Sequence, residues 1–160
     1  MASVAFSPDA LAEYEAAVRR YPERRAALMP VLWLAQREFG YLSDQVMVYV
    51  AGLLGLPPAW VASVASFYTM YYKRPMGRHH LQVCVSLPCA LVGAERIRDC
   101  VSRRLGIDIG ETTSDGRFSL SAVECLASCG TGPMMQVNDD YHENLDEARS
   151  LALIDRLARE

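Results

Sequence analysis

The sequence predicts an α+β protein in which a helical N-terminal half precedes a half that mixes strands and helices. Apolar residues recur with a helical period through the first half, whereas the second half contains short segments of alternating apolar and polar residues. Charged residues, a proline and a glycine at positions 73–77 separate the halves and are typical of a linker. We therefore predict two domains, a helical bundle over residues 1–76 and an α/β domain over residues 77–160.

The helical half contains signals for four helices. Ser7-Pro8-Asp9 is typical of a helix start, with an N-cap, a proline in the first turn and an early acidic residue. The apolar side of this helix is predicted to comprise Leu11, Tyr14, Ala17 and Val18. Capping serines, prolines and terminal glycines place the other three at residues 24–39, 43–54 and 57–66. The second of the four is predicted to bury Leu28, Val31, Leu32 and Ala35.

The second half follows the order β-α-β-β-β-α. Alternating residues and turn signals predict strands at residues 80–85, 117–123, 133–137 and 141–143. Helical periods predict helices at residues 91–105 and 146–158. The last helix is expected to have one apolar side, formed by Ala148, Leu151, Ile154 and Leu157.

Four of the five cysteines form two close pairs. Cys84 and Cys89 read C-x4-C, and Cys125 and Cys129 read C-x3-C. Each pair follows a predicted strand, so two strand-end loops can present four thiolates to one inorganic centre. Four thiolates hold a [2Fe–2S] or a [4Fe–4S] cluster, which predicts electron transfer. Cys100 lies outside the pairs and is predicted to be a buried apolar residue, since it shares a helical period with Ala94, Ile97, Val101 and Leu105.

Three other uses of the cysteine pairs stay open at this point. Structural zinc also takes four cysteines, but C-x4-C is at the loose end of its usual spacing and is closer to plant-type ferredoxins. Two disulfides would need an oxidising compartment, and no secretory signal precedes the chain. Thiol–disulfide catalysis usually uses C-x2-C, which is absent from the sequence.

Composition and charge argue against two classes of partner. The net charge is −3 and no basic stripe occurs, so we expect no nucleic-acid binding. Residues 45–72 carry no charge, but Pro57-Pro58 divides them and the first part is too short to cross a membrane. We expect a soluble, cytoplasmic protein without direct membrane insertion. The aromatic end of the uncharged stretch is interpreted either as a docking surface or as domain packing, through Phe67, Tyr68, Met70, Tyr71 and Tyr72.

No nucleotide-binding motif occurs in the sequence. There is no G-x-G-x-x-G after a strand and no P-loop, so we predict no catalytic residues and no NADH or FMN site on this chain. His79, His80 and His142 could serve a Rieske-type centre. The four-cysteine set is complete without them, and we interpret them as structural or exposed.

Motifs in both halves identify a family. They are Val64-Ala65-Ser66-Phe67-Tyr68, Val83-Cys84-Val85-Ser86 with Cys89, Asp115-Gly116-Arg117-Phe118, Cys125-Leu126, Cys129, Pro133 and Val137-Asn138-Asp139. With these the chain resembles the 24-kDa (E-type) subunits of NADH:quinone oxidoreductase, respiratory complex I. Their relatives include the small diaphorase subunits of NAD-linked hydrogenases and formate dehydrogenases, which is the alternative assignment. Ala127 departs from the family pattern, which often has glycine between the last two cysteines.

The resemblance implies a fold, a cofactor and partners. The fold is a helical bundle followed by a thioredoxin-like ferredoxin domain. The cofactor is one [2Fe–2S] cluster on Cys84, Cys89, Cys125 and Cys129, which exchanges electrons with the FMN of a partner. The partners are a flavoprotein subunit that binds FMN and NADH, and a larger iron–sulfur subunit. The location is the cytoplasmic face of the inner membrane, within the peripheral arm of a translocase.

Overall fold

The computed structural model describes residues 4–160. They form two compact units, a helical unit ending at Pro75 and a mixed unit over Met76–Glu160. The predicted α+β class is confirmed. Whether the units are independent domains, as predicted with a boundary after residue 76, stays a prediction.

The helical unit contains four α-helices. They are α1 Pro8–Arg19, α2 Leu28–Phe39, α3 Asp44–Leu54 and α4 Pro58–Phe67. The predicted second helix is shorter than expected, because Arg24–Ala27 forms a 3-10 turn before α2. Pro30 explains the difference. A helix beginning at residue 24 would have Pro30 in its interior, where proline lacks the N–H for a backbone bond, whereas a start at Leu28 leaves Pro30 in the first turn.

The predicted ends at Ser7, Ser43 and Gly40 are confirmed by their capping contacts or backbone conformation. Ser7 Oγ accepts a hydrogen bond from Ala10 N at 3.3 Å, and Ser43 Oγ accepts one from Val46 N at 3.3 Å. Gly40 follows α2 with a φ of 81°, a conformation that side chains other than glycine rarely adopt. These caps satisfy backbone groups that the helices leave free at their ends.

The core of the helical unit uses the predicted side of α2 and, except for Leu11, the predicted side of α1, where Tyr14 is buried and Ala17 and Val18 are half-buried. Leu28, Val31, Leu32 and Ala35 of α2 are all buried. On α1 the prediction for Leu11 is wrong, since that side chain is exposed, while Ala10 and Tyr14 are buried. Tyr14 sets the orientation of α1, because its hydroxyl donates to Leu53 O at 2.6 Å. Ala10 lies one turn before Tyr14 on the same side of α1. Leu11 is rotated from Ala10 by about 100° around the helix axis.

No single helix among the described residues is long and apolar enough to cross a membrane. The pair α3 and α4 reaches the necessary length and composition together, with a bend of 120° between the two helices.

The mixed unit is built on a four-stranded sheet in the order β2-β1-β3-β4. The strands are β1 His79–Cys84, β2 Phe118–Val123, β3 Met135–Val137 and β4 Asp140–His142. Strand β1 pairs in parallel with β2, and β3 pairs antiparallel with both β1 and β4. Cys84 lies opposite Val123, so β1 and β2 end at the same edge of the sheet.

Three helices accompany the sheet: α5 Leu87–Leu91, α6 Ala94–Leu105 and α7 Glu147–Leu157. The predicted helix over residues 91–105 begins only at Ala94. Gly93 has a φ of 103°, a left-handed conformation that separates α5 from α6 and lets α6 begin in a new direction. On α7 the predicted apolar side is partly wrong, because Ala148 is exposed and the buried residues are Ser150, Leu153, Ile154 and Leu157.

Helices α6 and α7 cover one face of the sheet. Alternate residues of the strands point toward them, and the resulting cluster comprises Leu81, Val83, Phe118, Leu120, Met135, Val137, Ile97, Val101, Leu145, Leu153, Ile154 and Leu157. The predicted burial of Cys100 on α6 is confirmed. This packing fixes the strand ends, where the paired cysteines lie.

His79 is buried at the start of β1 without a complete set of hydrogen bonds. Its ring centroid lies 5.4 Å from that of Phe118. Within residues 4–160, its Nε2 atom has no hydrogen-bond partner. Burial lowers the pKa of His79, and the positive charge of Arg78 acts in the same direction. The fold therefore favours the neutral imidazole.

We expect the free energy of unfolding to fall as the pH drops below about 6.5, because the unfolded chain then binds a proton that folded His79 resists. His79→Phe keeps a ring beside Phe118 and removes the titrating group, so its stability should depend less steeply on pH. Urea unfolding at pH 7 and pH 5 measures both slopes. His142, whose pKa is also lowered by burial, contributes equally to both proteins. Equal slopes would contradict the role of His79.

Candidate metal centre

The two cysteine pairs meet at one edge of the sheet. Cys84 is the last residue of β1, and Cys89 lies in the short helix α5. Cys125 and Cys129 follow the end of β2, which runs parallel to β1. Cys84 and Cys89 are each only 2% exposed, whereas Cys125 and Cys129 are both exposed. The predicted clustering of two strand-end loops is present, with one buried and one exposed pair.

Within each pair, the sulfur atoms are in contact. Cys125 Sγ and Cys129 Sγ are 3.5 Å apart, and the thiols of Cys84 and Cys89 share a hydrogen bond. Two thiolates on one tetrahedral metal, with metal–sulfur bonds of about 2.3 Å, have sulfur atoms roughly 3.7 Å apart. The Cys125–Cys129 pair is therefore spaced to bind one metal atom.

The thiols also raise one another's pKa. Burial raises the pKa of Cys89 to about 11, and both the hydrogen bond and the charge of Cys84 act in the same direction. The hydrogen bond and the charge of Cys125 raise the pKa of Cys129. The effect extends across the pairs, since Cys129 acts on Cys89 and Cys84 acts on Cys129. Thiolates so close together need a cation, and metal binding at this site must release protons.

Main-chain N–H groups point at sulfur in both halves of the site. Ala127 N donates to Cys125 Sγ at 3.3 Å, and the backbone N–H of Met134 donates to Cys89. Ala127 reaches this position with a φ of 65°, which is unfavourable for a residue with a Cβ atom. Such hydrogen bonds stabilise negative charge on sulfur and influence the reduction potential of a cluster.

Gly130 and Gly132 both follow Cys129 closely, but only Gly132 lies tight against a cysteine sulfur atom. A Cβ atom on Gly132 would lie 3.1 Å from Cys89 Sγ and 3.3 Å from Val92 Cγ2. A Cβ atom on Gly130 would meet nothing within 4 Å. Gly132 therefore leaves room for the sulfur of Cys89.

The two cysteine-bearing loops are joined directly. Ser86 Oγ donates to Glu124 Oε2 at 2.8 Å, and Val85 N donates to Val123 O at 2.9 Å. Cys84 N donates to Met134 O at 3.2 Å, which ties the end of β1 to the segment after Cys129. These bonds hold the pairs in register with each other.

The remaining candidate ligands lie outside the four-sulfur site. Cys100 packs within α6 near Ile97 and Val101, and burial raises its pKa. His80 Nε2 is 2.8 Å from Ser121 Oγ within the sheet. In the part of the chain from residue 4 onward, no group of three or more His, Cys, Asp or Glu side chains is arranged to hold a single metal ion. The four thiols form two pairs, an arrangement suited to two metal atoms.

Exposed aliphatic side chains lie next to the buried cysteine pair, a feature that the sequence analysis did not predict. Leu87 and Leu91 of α5 are 71% and 78% exposed, and the adjoining Val92 is also exposed. Exposed apolar patches often mark contact surfaces, which makes these three aliphatic residues beside the buried cysteine pair a candidate contact surface.

A family model for the thioredoxin-like [2Fe-2S] ferredoxin matches residues 14–158. The chain belongs to this family. The match spans both the helical unit and the mixed unit, and it confirms the thioredoxin-like fold and the [2Fe–2S] cofactor. The site fits that cofactor, because it offers four thiols in two pairs with N–H donors beside the sulfur atoms.

Curated relatives are similar over most of the chain. An E-type NADH-quinone oxidoreductase subunit of Rhizobium meliloti (strain 1021) is 50% identical over 143 residues, covering 89% of this chain and 85% of that protein. The E-type NADH-quinone oxidoreductase subunit of Rickettsia prowazekii (strain Madrid E) is 41% identical over 149 residues, covering 91% and 84%. The resemblance to this oxidoreductase subunit is thereby confirmed.

A solved structure supports the fold. The NAD+-reducing [NiFe]-hydrogenase in the air-oxidized state contains a chain that superposes with a TM-score of 0.74 at 23% identity. The match covers 87% of this chain and 24% of the hydrogenase chain. At that identity the likeness concerns the fold alone.

Gly132→Ala should weaken cluster binding, because the new Cβ atom must push aside Cys89 Sγ or Val92. Gly130→Ala is the matched control, since it adds the same methyl group two residues away into open space. We expect purified Gly132→Ala protein to contain less iron and sulfide than wild type, and Gly130→Ala to contain the same amount. Iron and acid-labile sulfide assays measure this, and equal iron contents in the two variants would contradict the steric argument.

Proposed function

We propose that this chain is the electron-transferring E-type subunit of NADH:quinone oxidoreductase and that Cys84, Cys89, Cys125 and Cys129 bind its [2Fe–2S] cluster. The observation that carries the proposal is the meeting of the two cysteine pairs at one sheet edge, with one pair exposed. The relatives at 41% and 50% identity support membership of this complex. The alternative of a hydrogenase or formate dehydrogenase diaphorase subunit has weaker support, since the hydrogenase likeness is 23% in identity.

When bound, the cluster supplies one-electron transfer. The protein contributes the positions of the sulfur atoms and the charges around them. The buried pair keeps water from two of the ligands, whereas Cys125 and Cys129 bring the other side of the site to the surface. An electron can therefore pass at the exposed side without any rearrangement of the fold.

The proposed partners are a flavoprotein subunit that carries FMN and the NADH site, and a larger iron–sulfur subunit. The complex would lie on the cytoplasmic face of the inner membrane as part of a peripheral arm. Two apolar surfaces support docking: Leu87 and Leu91 beside Cys89, and Trp60 and Phe67 on α4, where Phe67 is 78% exposed.

The aromatic docking surface is smaller than the sequence indicates. Tyr71 is fully buried in the core of the helical unit, and its hydroxyl donates to Met29 O at 3.0 Å. Phe67 and Tyr68 remain exposed, with their rings 5.0 Å apart. Docking by the helical unit therefore rests on the end of α4.

Cys84→Ala and Cys129→Ala should each abolish or destabilise the cluster, because loss of one thiolate opens the coordination shell. Cys100→Ala is the control, a cysteine-to-alanine change that should keep full iron content at a stability cost of about 1 kcal/mol. Wild-type protein should contain about two irons and two sulfides per chain and give an S = 1/2 EPR signal after dithionite reduction. Iron near four per chain, zinc without sulfide, or iron loss from Cys100→Ala would each refute the ligand assignment.

Phe67→Ser and Leu91→Ser should each weaken binding of the flavoprotein subunit by about tenfold, since a few anchor residues contribute most of the affinity of an interface. Val48→Ser is the control, because Val48 is also an exposed apolar residue but lies on α3. The assay follows cluster reduction by NADH at increasing flavoprotein concentration. NADH alone should leave the cluster oxidised. Direct reduction by NADH, or unchanged affinity in both variants, would count against the proposed partner.

A further inference from the structure

Strand β4 and the residue after it hold the loop that carries Cys125 and Cys129. The Tyr141 hydroxyl donates to Leu126 O at 2.8 Å. Glu143 Oε1 accepts from Ser128 Oγ at 2.6 Å and from Thr131 Oγ1 at 2.5 Å. Neither Tyr141 nor Glu143 supplies a sulfur ligand, yet together they bond the loop at three points.

The loop needs such support because its own conformation is unfavourable. Residues 124–128 form no helix or strand. Ala127 has a φ of 65°, and this conformation directs its N–H at Cys125 Sγ. The bonds from Tyr141 and Glu143 reach Leu126 and Ser128, the residues directly before and after Ala127. They therefore hold the strained residue from both sides.

The support is anchored to the same sheet that carries the other cysteine pair. Tyr141 lies opposite Gln136 in the β3–β4 pairing. Strand β3 in turn pairs with β1, which ends at Cys84. Asn144 N adds a main-chain bond to Thr131 O at 2.6 Å. The exposed pair is thus held at a fixed distance from the buried pair through β4, β3 and β1.

We propose that Tyr141 and Glu143 are positioning residues for the metal centre, which hold the Cys125–Cys129 loop in the geometry that binds the cluster. The proposal rests on the ligand set given above and extends it to two residues without sulfur. Glu143 also places a carboxylate beside the exposed pair. Its hydrogen bonds to Ser128 and Thr131 lower its pKa, so it carries a full negative charge at neutral pH.

Three variants of the full chain separate geometry from charge. Tyr141→Phe removes one hydroxyl and changes no charge. Glu143→Ala removes both the acceptor and the charge. Glu143→Gln keeps an acceptor oxygen at the same length and removes only the charge. Asp140→Ala is the matched control, an exposed carboxylate on β4 with no hydrogen bond to the loop.

Two measurements are made on cluster-loaded protein. The first is the rate of iron release to a chelator, which we expect to rise about tenfold in Tyr141→Phe and Glu143→Ala, a typical effect of losing an outer partner of a metal ligand. Glu143→Gln and Asp140→Ala should release iron at the wild-type rate. The second is the midpoint potential from an EPR-monitored titration. It should be more positive in both Glu143 variants, because loss of a negative charge favours the reduced cluster.

The outcomes distinguish this proposal from the ligand assignment. Wild-type protein without a cluster would refute the ligand set. The positioning role is overturned if wild-type protein holds the cluster but Tyr141→Phe and Glu143→Ala release iron no faster than Asp140→Ala. Release from Glu143→Gln as fast as from Glu143→Ala would overturn it too, since charge and not geometry would then retain the cluster. If circular dichroism shows that Glu143→Ala does not fold, the iron-release rate of Tyr141→Phe tests the positioning role by itself.

Discussion

The parallel pairing of β1 with β2 is the interaction on which the metal centre depends. Parallel strands end at the same edge of a sheet, so Cys84 on β1 and Cys125 just after β2 become neighbours although many residues separate them in the sequence. The apolar cluster beneath, between the sheet and helices α6 and α7, keeps this pairing in place. Loss of packing there would separate the two thiol pairs before any ligand itself changed.

The fold could be predicted from the sequence where the signals were local. Caps such as Ser43 and breakers such as Gly40 depend on a few neighbouring residues, and so do the four strands, whose predicted bounds differ from the structure by one or two residues. The errors have tertiary causes. Leu11 has the right period to be buried, but the hydrogen bond of Tyr14 to Leu53 turns α1 away from it. On α7, Ser150 lies on the same side as the buried Leu153, Ile154 and Leu157, and its hydroxyl is satisfied by donating to Asp146 O at 2.8 Å, so a polar residue occupies a buried position.

For the candidate site, the sequence predicts which cysteines lie together, but not how exposed they are or which residues support their loops. Pair spacing and position after strands are visible in the sequence, and they indicate that the four cysteines come together, as they do in the structure. The difference between a buried and an exposed pair was not visible. Cys84 ends a buried strand and Cys89 lies in helix α5, whereas residues 124–128 form no helix or strand, and these tertiary surroundings set the exposure of each pair. The bonds from Tyr141 and Glu143 were missed for a similar reason. Tyr141 lies on β4 and Glu143 directly follows that strand, and only the β3–β4 hairpin brings them back to the loop.

The direction of β1 and β2 has a consequence for recognising distant relatives. The connection from α6 to β2, residues 106–117, enters β2 at the end opposite the cysteines. Insertions or deletions there can change the length of chain between Cys89 and Cys125 without moving any sulfur atom. If each pair binds one metal atom, as proposed, the short intervals within the pairs are constrained, whereas the long interval between the pairs can change in length. A search pattern should therefore fix the two pairs and let the gap vary.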